Sequence, residues 1–166
     1  MKATSRPLLL GHRGVRPLRR FVVRRLQAQL PAENTLGAFD YALASGCDGF
    51  EFDVRFTCDR RAVLCHDPQI GGKEIASSDY SDLQHTGNGL TNLEDVLARF
   101  GSTAYLDVEL KVSGDEEAIV AALHANPPKR GCVVSSFLPD VLLRIHAIDA
   151  DVPLGYICDH RREAER

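Results

Sequence analysis

The sequence has little of what marks several large classes of protein. It has no charge excess: 20 basic and 23 acidic residues leave a formal net charge of −3, so the overall balance offers nothing to a nucleic acid. No apolar run approaches the ~20 residues of a membrane-spanning helix. Leu8-Leu9-Leu10 is too short for the hydrophobic core of a signal peptide and leads into His12 and Arg13. Cysteine is sparse. The five present (47, 58, 65, 132 and 158) make an odd count with no CxxC spacing, which argues against a disulfide framework or a zinc site and for a reducing cytoplasm. Repeats and low-complexity segments are absent.

What is there is an alternation of strand-like and helix-like segments over 166 residues, the length of one domain. Strands are expected near 8–11, 49–54, 62–66, 104–110, 132–136 and 153–157. Between them, residues 35–45 place Leu36, Phe39, Ala42 and Leu43 on one helical face, with Asn34 as N-cap and Gly46 as stop. Thr91-x-x-Glu94 reads as a capping box before Leu93, Val96, Leu97 and Phe100. Further helices are expected over 115–125 and 138–148, the latter with Pro139 in its first turn. Such alternation predicts an α/β fold with a parallel sheet wrapped by helices. A basic, apolar, acid-free stretch from Val15 to Leu30 and a charged tail from Asp159 fit neither pattern.

The strand ends carry the chemistry. Glu51 and Asp53 are two apart, so they share one face while Phe50, Phe52 and Val54 take the other. Asp107, Glu109 and Lys111 repeat that pattern on a later strand. An ExD pair alone is more often a solvated strand face; a second set makes an oxygen-rich site for a hard divalent cation, Mg²⁺ or Ca²⁺. His12 and His66 end strands, where one imidazole can activate a nucleophile and the other protonate a leaving alkoxide. Arg13 and Lys111 supply charge for a phosphate. Together these are the parts of a metal-assisted phosphodiesterase. Cys65 reads as a core thiol, and His85, His124, His146 and His160 as surface residues. No GxSxG surrounds Ser135-Ser136, so a serine nucleophile is not expected.

Gly11-His12-Arg13-Gly14, Pro31-Ala32-Glu33-Asn34-Thr35, Glu51-Phe52-Asp53-Val54, His66-Asp67-Pro68 and Asp107-Val108-Glu109-Leu110-Lys111, in that order, resemble the glycerophosphodiester phosphodiesterases. The resemblance runs from Leu8 to about Asp159. It implies a TIM (β/α)8-type barrel with its site at the C-terminal ends of the strands. It also implies Glu51, Asp53 and Glu109 as metal ligands, His12 and His66 as the acid–base pair, and Arg13 and Lys111 as phosphate holders. The expected reaction is metal-dependent hydrolysis of a small glycerophosphodiester to glycerol 3-phosphate and an alcohol. Glu33 and Asn34 either line the site or, for Asn34, cap the helix.

The chain departs from the family pattern twice. Residues 15–30 are an insertion, read as a loop or lid ahead of a weak membrane contact. And about six βα units fall short of a full barrel, which takes about 250 residues, so strand edges are expected at the first and sixth strands. The readings left open are a fragment of a longer enzyme and a barrel closed by homo-oligomerisation. In function, the alternatives are a non-catalytic binder of a phosphate ester or another subunit, and a phosphodiesterase of the lysophospholipid type.

Overall fold

The computed structural model describes residues 6–15, 30–86 and 89–158. The insertion, apart from its end residues, and the charged tail lie outside them. The elements in chain order are β1 (Leu10–Gly11), α1 (Leu36–Ala44), β2 (Gly49–Phe56), β3 (Ala62–Leu64), β4 (Gln69–Ile70) and β5 (Lys73–Glu74). A 3₁₀ turn (Ile75–Ser77) and α2 (Tyr80–Leu83) follow. The remainder is α3 (Leu93–Phe100), β6 (Tyr105–Leu110), α4 (Glu116–Ala125), β7 (Cys132–Ser136), α5 (Pro139–Ile148) and β8 (Leu154–Tyr156).

All six expected strands join one sheet, in the order β1-β2-β6-β7-β8, with β3 on β2. Five of them run parallel. Their spatial order follows the chain without reversal, which is the winding of a barrel; a doubly wound sheet would reverse at a switch point. The fold is therefore α/β, a TIM-type barrel that these strands complete only in part. Among the described residues β1 and β8 each pair on one side, as expected for the first and last strands.

The third strand corrects the expectation of uniform parallel alternation. It runs antiparallel to β2, with Val54 opposite Leu64 and Phe56 opposite Ala62. Five residues separate β2 from β3, enough for a hairpin but not for the crossover that a parallel connection needs. The small β4–β5 hairpin completes an excursion that carries the chain on to α3.

The core lies between the outer sheet face and the helices. Phe50, Phe52 and Val54 of β2, with Leu106, Val108 and Leu110 of β6, are fully or almost fully buried there. Phe39 of α1 stacks on Phe50 at 4.1 Å between ring centroids, and Phe100 of α3 meets the same ring edge-on at 5.1 Å. Burying a phenylalanine contributes about 1.5–3 kcal/mol, so this cluster ties α1 and α3 to β2. Gly49 allows close pairing of β2 with β6, since a Cβ there would stand 1.8 Å from the Tyr105 carbonyl oxygen.

Two caps differ from the expectation by one residue. Thr35, not Asn34, caps α1, its Oγ1 accepting from the Ala38 amide at 3.2 Å. Asn92, not Thr91, caps α3 by accepting from the Asp95 amide at 2.7 Å. In both places two adjacent residues are competent caps, and tertiary contacts choose between them.

Candidate active site

The inner sheet face is polar where the outer is apolar. Register places Glu51 beside Asp107 and Asp53 beside Glu109, with Ser135 of β7 next to Glu109. Parallel strands covered on both faces are normally near-continuous apolar runs, so four carboxyl groups on one face mark a site rather than a core.

Glu51, Asp53 and Glu109 each offer a ligand atom, all within 4.8 Å of one another. Asp53 is wholly buried and Glu109 5% exposed. Two cations interleave with them. The Arg13 Nε lies 3.0 Å from Asp53 Oδ2, and Arg13 Nη1 donates to Glu33 Oε1 at 2.9 Å. Lys111 Nζ lies 2.9 Å from Asp53 Oδ1 and also contacts Glu109. His12 follows β1, half-exposed, its Nε2 3.6 Å from Glu51 Oε2.

The turn after β1 is built for these contacts. Arg13 is left-handed (φ 52°) and Gly14 follows at φ 73°. That conformation aims the Arg13 amide at Glu51 Oε2, 2.8 Å away. It also turns the Arg13 carbonyl to the Asn34 amide at 3.1 Å. Gly14 packs on α1, where a Cβ would come within 2.8 Å of Ala38 and Phe39 atoms.

His66 reaches the site through the antiparallel strand. Because β3 doubles back along β2, the Cys65 amide donates to the Asp53 carbonyl at 3.0 Å, which returns His66 to the level of the carboxylates. Its Nδ1 lies 2.8 Å from Asp67 Oδ1, and its backbone carbonyl accepts from Arg55 Nε and Nη2 at 3.0 and 2.7 Å. The structure thus gathers His12, Arg13, Glu51, Asp53, Glu109 and Lys111 by direct contacts, and ties His66 to them through backbone. Arg55 was not foreseen; its signal is the period-two continuation of Glu51 and Asp53 on the same face. Cys65 packs against a small apolar cluster, as expected.

Burial, then repulsion from Asp53, pushes the Glu51 carboxyl up to about 8, against the hydrogen bond from Arg13. Asp53 goes the other way. Its burial is the largest influence and raises it, but hydrogen bonds from Asn34 and Lys111 and the charges of Lys111 and Arg13 together hold it below the usual range. Burial also raises Asp107, which accepts from Ser135 Oγ at 2.5 Å. A site that splits neighbouring carboxyls in this way is typical of functional centres.

The acidic trio fits a hard divalent cation. Glu51 Oε1 is buried without a hydrogen-bond partner, and the buried Asp53 Oδ1 has no donor but the Lys111 ammonium at 2.9 Å. Buried oxygens left short of donors are costly, and a cation with oxygen ligands would satisfy both. A second trio, Cys58, Asp59 and Asp79, is exposed.

A cavity of about 160 Å³ opens beside this centre, lined by Glu33, Asn34, Cys65, His66 and Asp67 among others. A larger one, about 570 Å³, lies beyond the ends of β2 and β6. It touches Arg55 but none of the seven expected site residues.

Residues 12–166 match the model of the glycerophosphoryl diester phosphodiesterase family. The chain belongs to that family. It is 28% identical over 160 residues to a glycerophosphodiester phosphodiesterase of Bacillus altitudinis, covering 82% of this chain and 65% of that protein. It is 30% identical over 144 residues to the Bacillus subtilis protein YqiK, covering 74% and 59%. The crystal structure of the Thermotoga maritima glycerophosphodiester phosphodiesterase superposes with a TM-score of 0.74 at 25% identity, over 95% of this chain and 65% of that one. An Oleispira antarctica phosphodiesterase solved with its product sn-glycerol-3-phosphate superposes equally well, at 0.74 and 23% identity, over 95% and 70%. The chain thus spans about three fifths of the length of the curated relatives it matches.

Proposed function

We propose that this chain carries the catalytic centre of a metal-dependent glycerophosphodiester phosphodiesterase, which releases glycerol 3-phosphate and an alcohol. The observation that carries the reading is the convergence of Glu51, Asp53 and Glu109 on one buried spot between Arg13 and Lys111.

In this reading Glu51, Asp53 and Glu109 hold one Mg²⁺ or Ca²⁺. Such a cation, when bound, supplies Lewis-acid stabilisation of charge on the phosphoryl oxygens. Arg13 and Lys111 bind the remaining phosphate charge, Arg13 from a fixed fork and Lys111 as a mobile point charge. Both are held among carboxylates before substrate arrives, so little reorganisation is needed when negative charge develops. His12 and His66 form the acid–base pair: one takes the proton of the attacking hydroxyl, and the other gives one to the departing alkoxide oxygen. Asp67 accepts from His66 Nδ1 and so leaves Nε2 as the proton-transfer atom. The adjoining cavity by Glu33, Asn34 and His66 offers room for one side of the diester.

All five cysteines are free thiols, which supports a reducing, cytoplasmic setting. Among the described residues no helix is long and apolar enough to cross a membrane. The test is release of glycerol 3-phosphate from a glycerophosphodiester by purified protein with Mg²⁺ or Ca²⁺. Release is expected with metal and lost with a chelator; release that survives both chelator and Glu51→Gln contradicts the reading.

A further inference from the structure

Asn34 stands out among the residues around the site. It is 5% exposed, in the left-handed region at φ 58°, and it does not cap α1, since Thr35 does. Instead its Nδ2 donates to Asp53 Oδ2 at 2.8 Å, and its Oδ1 accepts from the Asp53 backbone amide at 3.2 Å. Its own amide donates to the Arg13 carbonyl.

We infer that Asn34 is a positioning residue that presents one oxygen of Asp53 to the bound cation, an inference that rests on the metal reading above. The two side-chain bonds grip Asp53 at both its carboxylate and its main chain, which fixes the rotation of the side chain. With Oδ2 committed to Asn34 and flanked by Arg13, Oδ1 is the atom turned to the side shared with Lys111 and Glu109. That oxygen is buried, and its one close donor is the Lys111 ammonium at 2.9 Å.

The chemistry of the position selects asparagine. The contact needs a donor and an acceptor on one short planar group, on a backbone with positive φ that asparagine tolerates better than most residues. Aspartate has the shape but no donor, and sets a second negative charge against Asp53. Glutamine is one methylene too long to make both bonds from the same backbone. Outer partners of metal ligands act in this way, by orienting the ligand rather than touching the metal.

The test is Ca²⁺ titration calorimetry on wild type, Asn34→Gly and Asn34→Asp, with thermal melting of each in chelator. Glycine keeps the left-handed backbone unstrained while removing the amide. Positioning predicts Ca²⁺ affinity weakened about 10–100-fold in Asn34→Gly, in protein that still melts cooperatively, and no recovery in Asn34→Asp. A purely structural role predicts a lower melting temperature with unchanged affinity in the folded protein, and overturns the inference. Affinity in Asn34→Asp at or above wild type makes position 34 a ligand, and also overturns it. Absence of binding by wild type in parallel titrations with Ca²⁺ and with Mg²⁺ removes the metal reading itself, and this inference with it.

Discussion

Among the described residues, two trios of side chains bring their ligand atoms within 4.8 Å of one another: Glu51, Asp53 and Glu109 on the inner sheet face, and Cys58, Asp59 and Asp79 in the excursion after β2. Both are close enough to share an ion, but their physics differs. In the exposed trio the hydrogen bonding is already local. Asp59 Oδ1 accepts from Thr57 Oγ1 at 2.6 Å and the Tyr80 amide at 3.0 Å. Cys58 donates to Asp79, and that bond raises the thiol's pKa, so the sulfur stays protonated and is a poor ligand. In the buried trio Glu51 Oε1 lacks a partner, one carboxyl is forced toward its neutral form, and two cations stand alongside. Proximity of ligand atoms is therefore a weak criterion; burial without compensation is the stronger one.

The sharpest way to break that contrast is to remove one buried carboxylate. Glu51→Gln and Asp53→Asn are each expected to abolish divalent-cation binding and glycerol 3-phosphate release, whereas Asp79→Asn leaves both at wild-type level. Next in size, His12→Ala and His66→Ala should each lower kcat by about 10²–10⁴-fold with cation affinity retained. A loss of affinity in either variant would place that histidine among the ligands.

The raised Glu51 gives a pH signature that the exposed trio cannot. Its folded value, about 8, lies above its ordinary 4.5. Between those values the folded chain holds a proton that the unfolded chain has released. The stability of the metal-free protein therefore falls as pH rises through that window, by up to about 1.4 kcal/mol per pH unit. Asp53 has the opposite sign: its contribution is present above its unfolded value and is lost as pH falls through its lowered folded one. Chemical denaturation of wild type and Glu51→Gln in chelator, from pH 5 to 8, should show the slope in the first and a much flatter line in the second. Equal slopes would assign the effect elsewhere. The smallest expected effect is that of Cys58→Ser, which should leave cation affinity unchanged.

Much of the buried site was legible in the sequence because a strand has a strict period of two. Glu51 and Asp53, then Asp107, Glu109 and Lys111, share a face whatever the fold around them, and the apolar residues between them say which face meets the helices. His66 was legible as a residue but not in its route. The alternation of elements suggested a parallel third strand, and only the short connection after β2 hinted at the hairpin that turns His66 back to Asp53. Asn34 was ambiguous for a local reason. Asn-Thr offers two adjacent caps, and which one is released to do something else depends on Asp53, nineteen residues away. The left-handed Arg13 had no sequence signal beyond the glycine after it.

The central claim is that the buried trio holds one divalent cation and the exposed trio none. Ca²⁺ titration calorimetry on wild type, Glu51→Gln and Asp79→Asn tests it directly. The account predicts a stoichiometry of one for wild type and Asp79→Asn, and no binding for Glu51→Gln. Binding that persists in Glu51→Gln and disappears in Asp79→Asn would contradict it.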